Sequence, residues 1–168
     1  MGNDFNVDEI FEIAVQIERN GAIFYSQMAK GISEARVSRL LLNFASMEEA
    51  HEKVFISMRK SLSDREREKT VFDPDEETVE YLRAFAGLFV FDDGAGDDFV
   101  LSEELSNEAK IRKVLRAAIN IEWESIAFYT GMKDLVPEVL GKGKIDSIIK
   151  EEMRHVRILS ENLNSLAL

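Results

Sequence analysis

The fold of this chain is indicated by a stretch that occurs twice, as AVQIERNGAIFYSQM at 14–28 and as AINIEWESIAFYTGM at 118–132. The two copies share a glutamate, a Phe-Tyr pair and a methionine at equivalent places, at an offset of 104 residues. At the same offset, EEAH at 48–51 is matched by EMRH at 152–155. Because no gap separates the two matches, the sequence predicts one helical hairpin present twice in a bundle with pseudo-twofold symmetry.

Apolar residues around these motifs recur with the three-and-four spacing of amphipathic helices. The spacing predicts four long helices, at about 7–30, 34–62, 108–133 and 144–164. Asn6 and Glu9 match a capping box, Ser33 is the predicted N-cap of the second helix, and the glycines at 141 and 143 predict a break before the fourth.

A long connection, 63–107, separates the two hairpins, and it contains a predicted short helix at 76–91 and a Gly/Asp-rich loop at 92–98. Short loops within the hairpins and one long link between them predict an all-α four-helix bundle with a single crossover connection. We expect one domain over 1–168. Apolar residues at Phe85, Phe89 and Phe91 exceed what covering one bundle edge needs, which favours self-association.

The composition excludes several kinds of site. The net charge is −11, which argues against nucleic acid and anionic membrane as partners. Cysteine is absent, so disulfides, thiolate metal sites and cysteine nucleophiles are excluded. We find no signal peptide and no apolar stretch of bilayer length, and we expect a cytoplasmic protein. Any metal here must be held by nitrogen and oxygen.

Each of the four core-facing helical stripes carries a glutamate at its middle. An unpaired buried carboxylate costs several kcal/mol or becomes protonated, and four facing carboxylates repel one another. None of the four stripes contains Lys or Arg, whereas two divalent cations would cancel the charge. The carboxylates also lie at similar depths, about 20 Å from their hairpin turns at about 1.5 Å per residue, so they can meet in one layer. They are Glu18, Glu48, Glu122 and Glu152.

Both histidines of the chain follow one of these glutamates by three residues, which places Glu and His on the same side of a helix. A lone Glu-x-x-His is usually a solvated face, and a lone histidine is usually a hydrogen-bonded core residue. Two matched copies, facing two further helices with one glutamate each, are the arrangement of metal centres in bundle cores. The predicted ligands are Glu18, Glu48, His51, Glu122, Glu152 and His155.

Tyr25 and Tyr129 lie two turns after Glu18 and Glu122. They are either core aromatics or partners whose hydroxyls bond the ligand carboxylates. Trp123 is assigned no role. Four further glutamates near the site in sequence fall on other helix faces, where solvation is the expected state: Glu49, Glu52, Glu124 and Glu151.

Two hairpins, each with Glu-x6-Tyr and then Glu-x-x-His about thirty residues later, resemble the rubrerythrin group of the ferritin-like superfamily. The resemblance implies a non-haem di-iron centre that reacts with peroxide or dioxygen, and a homodimer. The four glutamates would be carboxylate ligands, and His51 and His155 terminal nitrogen ligands. Tyr25 and Tyr129 would be hydrogen-bond partners of the carboxylates.

The chain departs from the rubrerythrin pattern in two ways. Without cysteine it has no rubredoxin domain, so the electron donor would be a separate protein. Ser125 stands where rubrerythrins carry an additional ligand glutamate, which puts the peroxidase mechanism in question. The small residues Gly21 and Ser125 could leave space for a substrate.

Three functions remain open from the sequence. The first is a redox enzyme with two iron ions that reduces hydrogen peroxide or dioxygen. The second is a binding or ferroxidase module that holds iron or manganese, with zinc also open, and has no sustained peroxidase turnover. The third is a structural bundle whose function lies on a partner surface along 63–107.

Overall fold

The computed structural model describes residues 6–68, 71, 73, 77–89 and 101–166. In the described part of the chain the regular elements are all helical, and in chain order they are α1 Val7–Gly31, α2 Ala35–Lys60, α3 Asp64–Glu68, α4 Glu77–Phe89, α5 Asn107–Leu135, a 3-10 turn Glu138–Leu140, and α6 Lys142–Ser165. The predicted all-α four-helix bundle is confirmed. Its long helices are α1, α2, α5 and α6, and α3 and α4 lie in the crossover connection.

Side-chain contacts give the directions of the helices. The Tyr25 hydroxyl of α1 bonds Glu122 of α5, and the Tyr129 hydroxyl of α5 bonds Glu18 of α1, so these two helices run antiparallel. His51 of α2 lies beside Glu152 of α6. Because the tyrosine contacts exchange when each residue is replaced by its match 104 positions away, the pseudo-twofold relation read from the sequence is present in the structure.

The N-cap predicted for α1 is found in the structure, whereas the N-cap predicted for α2 is not. The predicted capping box of α1 is confirmed, with Glu9 N donating to Asn6 Oδ1 at 2.9 Å and Asn6 N donating to Glu9 Oε2 at 3.1 Å. The prediction that Ser33 caps α2 is wrong. Glu34 is the cap, because its longer carboxylate side chain accepts from two backbone N–H groups of the first turn, at 2.9 and 2.7 Å.

The second hairpin turns through a short 3-10 segment. Gly141 closes it in the left-handed region, at φ +108°, where a side chain would be strained. A Cβ there would also lie 2.8 Å from the terminal methyl of Met58, but that flexible side chain can move, so it is the backbone conformation that requires glycine. Helix α6 begins at Lys142, two residues earlier than predicted, because the glycine at 143 is accommodated inside the first turn.

The crossover connection contains the predicted helix, α4, at slightly shorter bounds, and also α3, which was not predicted. Phe85 of α4 is buried against Phe128 of α5, with ring centroids 5.3 Å apart, so this phenylalanine covers its own bundle. Phe91, the side chain of Phe89 and the predicted loop at 92–98 lie outside the described residues. Self-association through this segment therefore stays a prediction.

Two apolar clusters fill the bundle on either side of its middle. One is built around Phe11, Phe55 and Phe128, at the end where α1 begins. The other contains Leu41 and Leu115, at the end where α1 finishes. The glutamates and histidines singled out in the sequence lie in the layer between these clusters. None of the helices in the described part of the chain combines the length and apolar composition needed to cross a bilayer.

Candidate metal centre

The middle layer of the bundle is charged and almost fully buried. Each long helix contributes one glutamate from the middle of its inward face, and α2 and α6 each add the histidine one turn later, on the same side of the helix. None of the six side chains belongs to a residue more than 5% exposed. The structure thus brings together every residue that the sequence predicted as a ligand: Glu18, Glu48, His51, Glu122, Glu152 and His155.

The two imidazole rings face the centre of the layer with their Nδ1 atoms. Glu152 lies between them, with Oε1 at 2.8 Å from His51 Nδ1 and Oε2 at 2.8 Å from His155 Nδ1. His51 Nδ1 is also 3.5 Å from Glu18, and His155 Nδ1 is 3.4 Å from Glu122. The distances to Glu18 and Glu122 are nearly equal, as the pseudo-twofold relation requires.

The six residues form two overlapping groups, within each of which one potential ligand atom per residue lies within 4.8 Å of the others. Glu18 and His51 belong to the first group only, and Glu122 and His155 to the second only. Glu48 and Glu152 belong to both. The geometry therefore offers two adjacent positions for a cation with two shared carboxylates.

Most polar atoms of this layer lack the partners that buried polar atoms normally have. Among the described residues, seven buried side-chain atoms accept or donate no hydrogen bond. Although the Nδ1 atoms lie close to carboxylate oxygens, these contacts do not form hydrogen bonds. The seven atoms are Glu18 Oε2, Glu48 Oε1, His51 Nδ1, Glu152 Oε1 and Oε2, and His155 Nδ1 and Nε2.

The two tyrosines form hydrogen bonds across the bundle with the two carboxylates that are not shared between the groups, Glu18 and Glu122, which we call the outer carboxylates. Tyr25 donates its hydroxyl hydrogen to Glu122 Oε1, and Tyr129 donates to Glu18 Oε1. Burial and the neighbouring carboxylates, Glu122 for Tyr25 and Glu18 for Tyr129, raise the pKa of each phenol well above its ordinary value. Both hydroxyls therefore stay protonated and hold one oxygen of each outer carboxylate in place, which is the second of the two roles weighed for them.

The pKa values show how the cluster holds protons when no cation is bound. Burial raises the pKa of Glu122 to about 8, against the opposing effect of His155. Burial and the nearby carboxylates raise the pKa of Glu48 well above its ordinary value. Burial opposes a charge on His51, but contacts with Glu152 and Glu18 outweigh it and raise the pKa to about 11. Protons therefore partly neutralise the carboxylates.

These features fit a pair of divalent cations. Carboxylate oxygen and imidazole nitrogen are the donors that iron, manganese and zinc accept. Four carboxylates would balance the charge of two such ions, and all of the unpartnered atoms except His155 Nε2 face the layer. Lys and Arg are absent from the layer as described, so no side-chain cation of those types competes for it.

One glutamate that sequence analysis assigned to solvent contacts the centre. Glu151 Oε2 lies 3.0 Å from His51 Nε2, on the side of the ring away from the layer. The prediction of a merely solvated side chain is wrong because α6 passes close enough to α2 for Glu151 to reach across. Its position matches Met47 at the 104-residue offset, and this carboxylate-for-methionine difference was the signal that could have revealed it.

The other neighbouring glutamates differ among themselves. Glu49 is exposed, as predicted. Glu52 accepts from the Arg19 guanidinium at 2.9 and 2.7 Å. Glu124 is only half exposed, and burial raises the pKa of its carboxyl group. Trp123 is 57% exposed on the outer face of α5, in line with the absence of a predicted role.

The two small residues of the site, Gly21 and Ser125, have different neighbours. A Cβ on Gly21 would lie 3.1 Å from Glu48 Oε2, so the space beside this glycine is filled by a carboxylate and is not free for a substrate. Ser125 is buried, and its hydroxyl donates to the backbone carbonyl of Ile121 at 3.1 Å. Position 125 therefore adds no carboxylate to the centre.

Comparisons with known proteins bear on the fold. No family model and no curated protein matches the sequence. Among solved structures, the crystal structure of a putative ferritin-like diiron-carboxylate protein from Thermotoga maritima superimposes with a TM-score of 0.67. The two sequences are 22% identical, and the match covers 98% of each chain. The chain therefore has a ferritin-like fold, with its buried Glu/His layer in the middle of the bundle.

Proposed function

We propose that this chain binds two iron ions in the buried layer and works as a non-haem di-iron redox protein. Its substrate would be hydrogen peroxide or dioxygen, and a separate protein would supply electrons. The observation that carries the proposal is that six unpartnered buried atoms face the layer, on residues that form two overlapping groups with two shared carboxylates. The Thermotoga protein of similar fold, a putative ferritin-like diiron-carboxylate protein, supports the choice of iron.

The chemistry that iron supplies when bound is electron transfer, since two Fe(II) ions together provide the two electrons that reduce one peroxide and two protons to two water molecules. The protein's part is positioning. Glu48 and Glu152 hold the two positions side by side, and His51 and His155 each face one of them with Nδ1. Anionic oxygen ligands favour the more highly charged oxidised ion, which assists the loss of electrons.

The tyrosines and the apolar clusters keep this layer ordered and dry. Tyr25 and Tyr129 each hold one oxygen of an outer carboxylate and leave the other oxygen directed to the centre, unpartnered at Glu18. The apolar clusters above and below exclude bulk water, so the ligand charges act in a low-dielectric setting and are screened little.

The test begins with anaerobic titration of the metal-free protein with Fe(II), where two ions per chain are expected. Stopped-flow mixing of the loaded protein with hydrogen peroxide should then give rapid absorption of the oxidised iron. Glu49→Gln, which removes an exposed carboxylate beside the site, serves as the control and should behave as the unaltered protein. Loading of fewer than two ions, or an equally slow reaction with peroxide and with dioxygen, would contradict the proposal.

A second candidate is an iron- or manganese-binding or ferroxidase module without sustained peroxidase turnover. Ser125 favours it, because its hydroxyl is bonded to its own helix and adds no further carboxylate to the centre. Peroxide consumption over many turnovers, with a chemical reductant present in excess, separates the two candidates. A single turnover that is not repeated after re-reduction would support the binding or ferroxidase role.

A further inference from the structure

The two histidines of the metal centre have different surroundings on the side away from the ligands. A carboxylate can only accept a hydrogen bond, so the contact of 3.0 Å between Glu151 Oε2 and His51 Nε2 places the ring proton on Nε2. When a cation takes the place of the proton on Nδ1, Nε2 keeps its own proton, and the electron pair of Nδ1 is directed at the layer. Glu151 thus selects the form of His51 that can bind a metal.

His155 has no such partner. Its Nε2 is buried and makes no hydrogen bond with any described residue. The ring of Phe44 lies against it edge-on, with centroids 4.8 Å apart, and cannot accept a proton as a carboxylate does. Met47 occupies the position that matches Glu151, and it packs with the neighbouring apolar cluster.

The tyrosines and the glutamates that they contact, Glu18 and Glu122, are close to symmetric, so the different surroundings of the two histidines are not a consequence of those contacts. Each tyrosine bonds the outer carboxylate of the other hairpin, and the histidines lie 3.5 and 3.4 Å from their outer glutamates. Carboxylates that accept from a ligating histidine fix its orientation and raise its basicity, and their loss typically lowers metal affinity about 10- to 100-fold. Glu151 also adds a negative charge to one side only.

From these contacts we infer that Glu151 makes the two metal positions unequal. It acts as a positioning residue for His51, so the position of Glu18 and His51 binds a divalent cation more tightly and fills first. The position of Glu122 and His155 fills second. The inference rests on the proposed metal-binding function, and it assigns an order to the two positions.

The two histidines give a direct readout, because no other residue of the chain contributes an imidazole signal. Protein labelled with 15N at histidine is titrated with Zn(II), which is diamagnetic, and the ring resonances are followed after assignment. At one equivalent, the His51 signals should move to their metal-bound positions while those of His155 stay. In the fully loaded protein, the Nε2 proton of His51 should resonate further downfield, as expected for a hydrogen bond to a carboxylate.

Glu151→Ala and Glu151→Gln test the cause. With alanine, the downfield Nε2 signal of His51 should disappear, the tighter affinity for Zn(II) should fall about 10- to 100-fold, and both rings should respond together. Glutamine keeps an acceptor oxygen without the charge, so it should rescue part of the signal and part of the affinity. Glu49→Gln is the matched control and should change neither.

The outcomes separate the two proposals. If the unaltered protein fails to bind two Zn(II) ions at the histidines, the metal-binding function itself is overturned. If it binds two ions but His155 responds first, or if Glu151→Ala leaves the order and the affinities unchanged, only the role of Glu151 is overturned. Thermal unfolding of the metal-free variants checks that each one is folded.

Discussion

The half-site around His51 and the half-site around His155 come from matching positions of two similar hairpins, yet they are not equivalent. Glu152 lies 2.8 Å from each Nδ1, whereas Glu48 approaches His155 Nδ1 only to 3.7 Å. Oε2 of Glu48 lies beside Gly21, and a Cβ at position 21 would be only 3.1 Å from this oxygen. The comparison teaches that the repeated candidate ligands define the type of centre that we propose, while residues just outside them make the surroundings of the two histidines differ.

The largest effect we expect is that of pH on the metal-free protein, since it acts on the whole cluster. Burial lowers the pKa values of both histidines, but contacts with carboxylates outweigh it and raise that of His51 to about 11 and that of His155 to about 9, while burial raises the pKa of Glu122 to about 8. The folded protein then holds more protons than the unfolded chain, so its free energy of unfolding falls as pH rises from about 5 to 9. Each additional proton contributes about 1.4 kcal/mol per pH unit.

Unfolding in a chelator across this pH range, monitored by circular dichroism, measures the effect. Burial opposes a charge on Glu152, but its contacts with His155 and His51 outweigh burial and lower its pKa to about 2; this shift acts only at more acidic pH and leaves the sign unchanged. Histidine NMR of the same samples should show His155 losing its proton before His51. A metal-free stability that rises with pH would contradict this account of the cluster.

The next largest effect should distinguish the two shared carboxylates. Glu152→Gln removes the charge that faces both imidazoles, and it should lower the stability of the metal-free protein at pH 7 by about 3 kcal/mol. Glu48→Gln removes a carboxylate whose charge is opposed by burial and by its neighbours, so stability should not fall. Denaturant unfolding measures both variants, and equal losses would remove the distinction.

Both glutamine variants should fail to hold two Co(II) ions, because Glu48 and Glu152 belong to both groups of candidate ligands. Equilibrium dialysis followed by metal analysis gives the stoichiometry. Retention of two ions in both variants would remove the assignment of these residues as shared ligands.

The two tyrosine–glutamate hydrogen bonds test whether the two halves of the centre contribute equally to stability. Tyr25→Phe and Tyr129→Phe each remove one hydrogen bond to a buried carboxylate, which costs about 1.5–3 kcal/mol. Because the two contacts are related by the pseudo-twofold axis, we expect losses of similar size in denaturant unfolding. A loss confined to one variant would show that the two halves differ at this level too.

The smallest effect should come from the pair of small residues. Gly21→Ala would displace the Glu48 carboxylate, whose Oε2 lies 3.1 Å from the new Cβ, and weaken Co(II) binding about tenfold. Alanine is about 1 kcal/mol more favourable than glycine within a helix, so stability should not suffer. Ser125→Ala is the matched control, and its Co(II) affinity should stay within twofold. Unchanged affinity in Gly21→Ala would show that Glu48 adapts freely.

Much of the fold and the candidate ligand set could be predicted because the same helical hairpin, with the same motifs, occurs twice in the sequence. The helical period, the Asn6 box and the convergence of the six inward residues follow from local spacing. The contact of Glu151 with His51 could not be read in this way, because it depends on how closely α6 passes α2. The same limit applies to Gly21, whose neighbour comes from another helix, and to the choice between Ser33 and Glu34 as cap, which depends on side-chain reach.

The internal duplication has a consequence for how such a centre can diversify. Two identical hairpins meeting on a true twofold axis would carry methionine, or glutamate, on both sides, since every residue would appear in pairs. Because the two copies are joined in one polypeptide through 63–107, the residue at position 151 can differ from the residue at the matching position 47. In a single polypeptide, one candidate metal position can acquire a neighbouring residue that the other lacks, so the two positions of the proposed centre can come to differ.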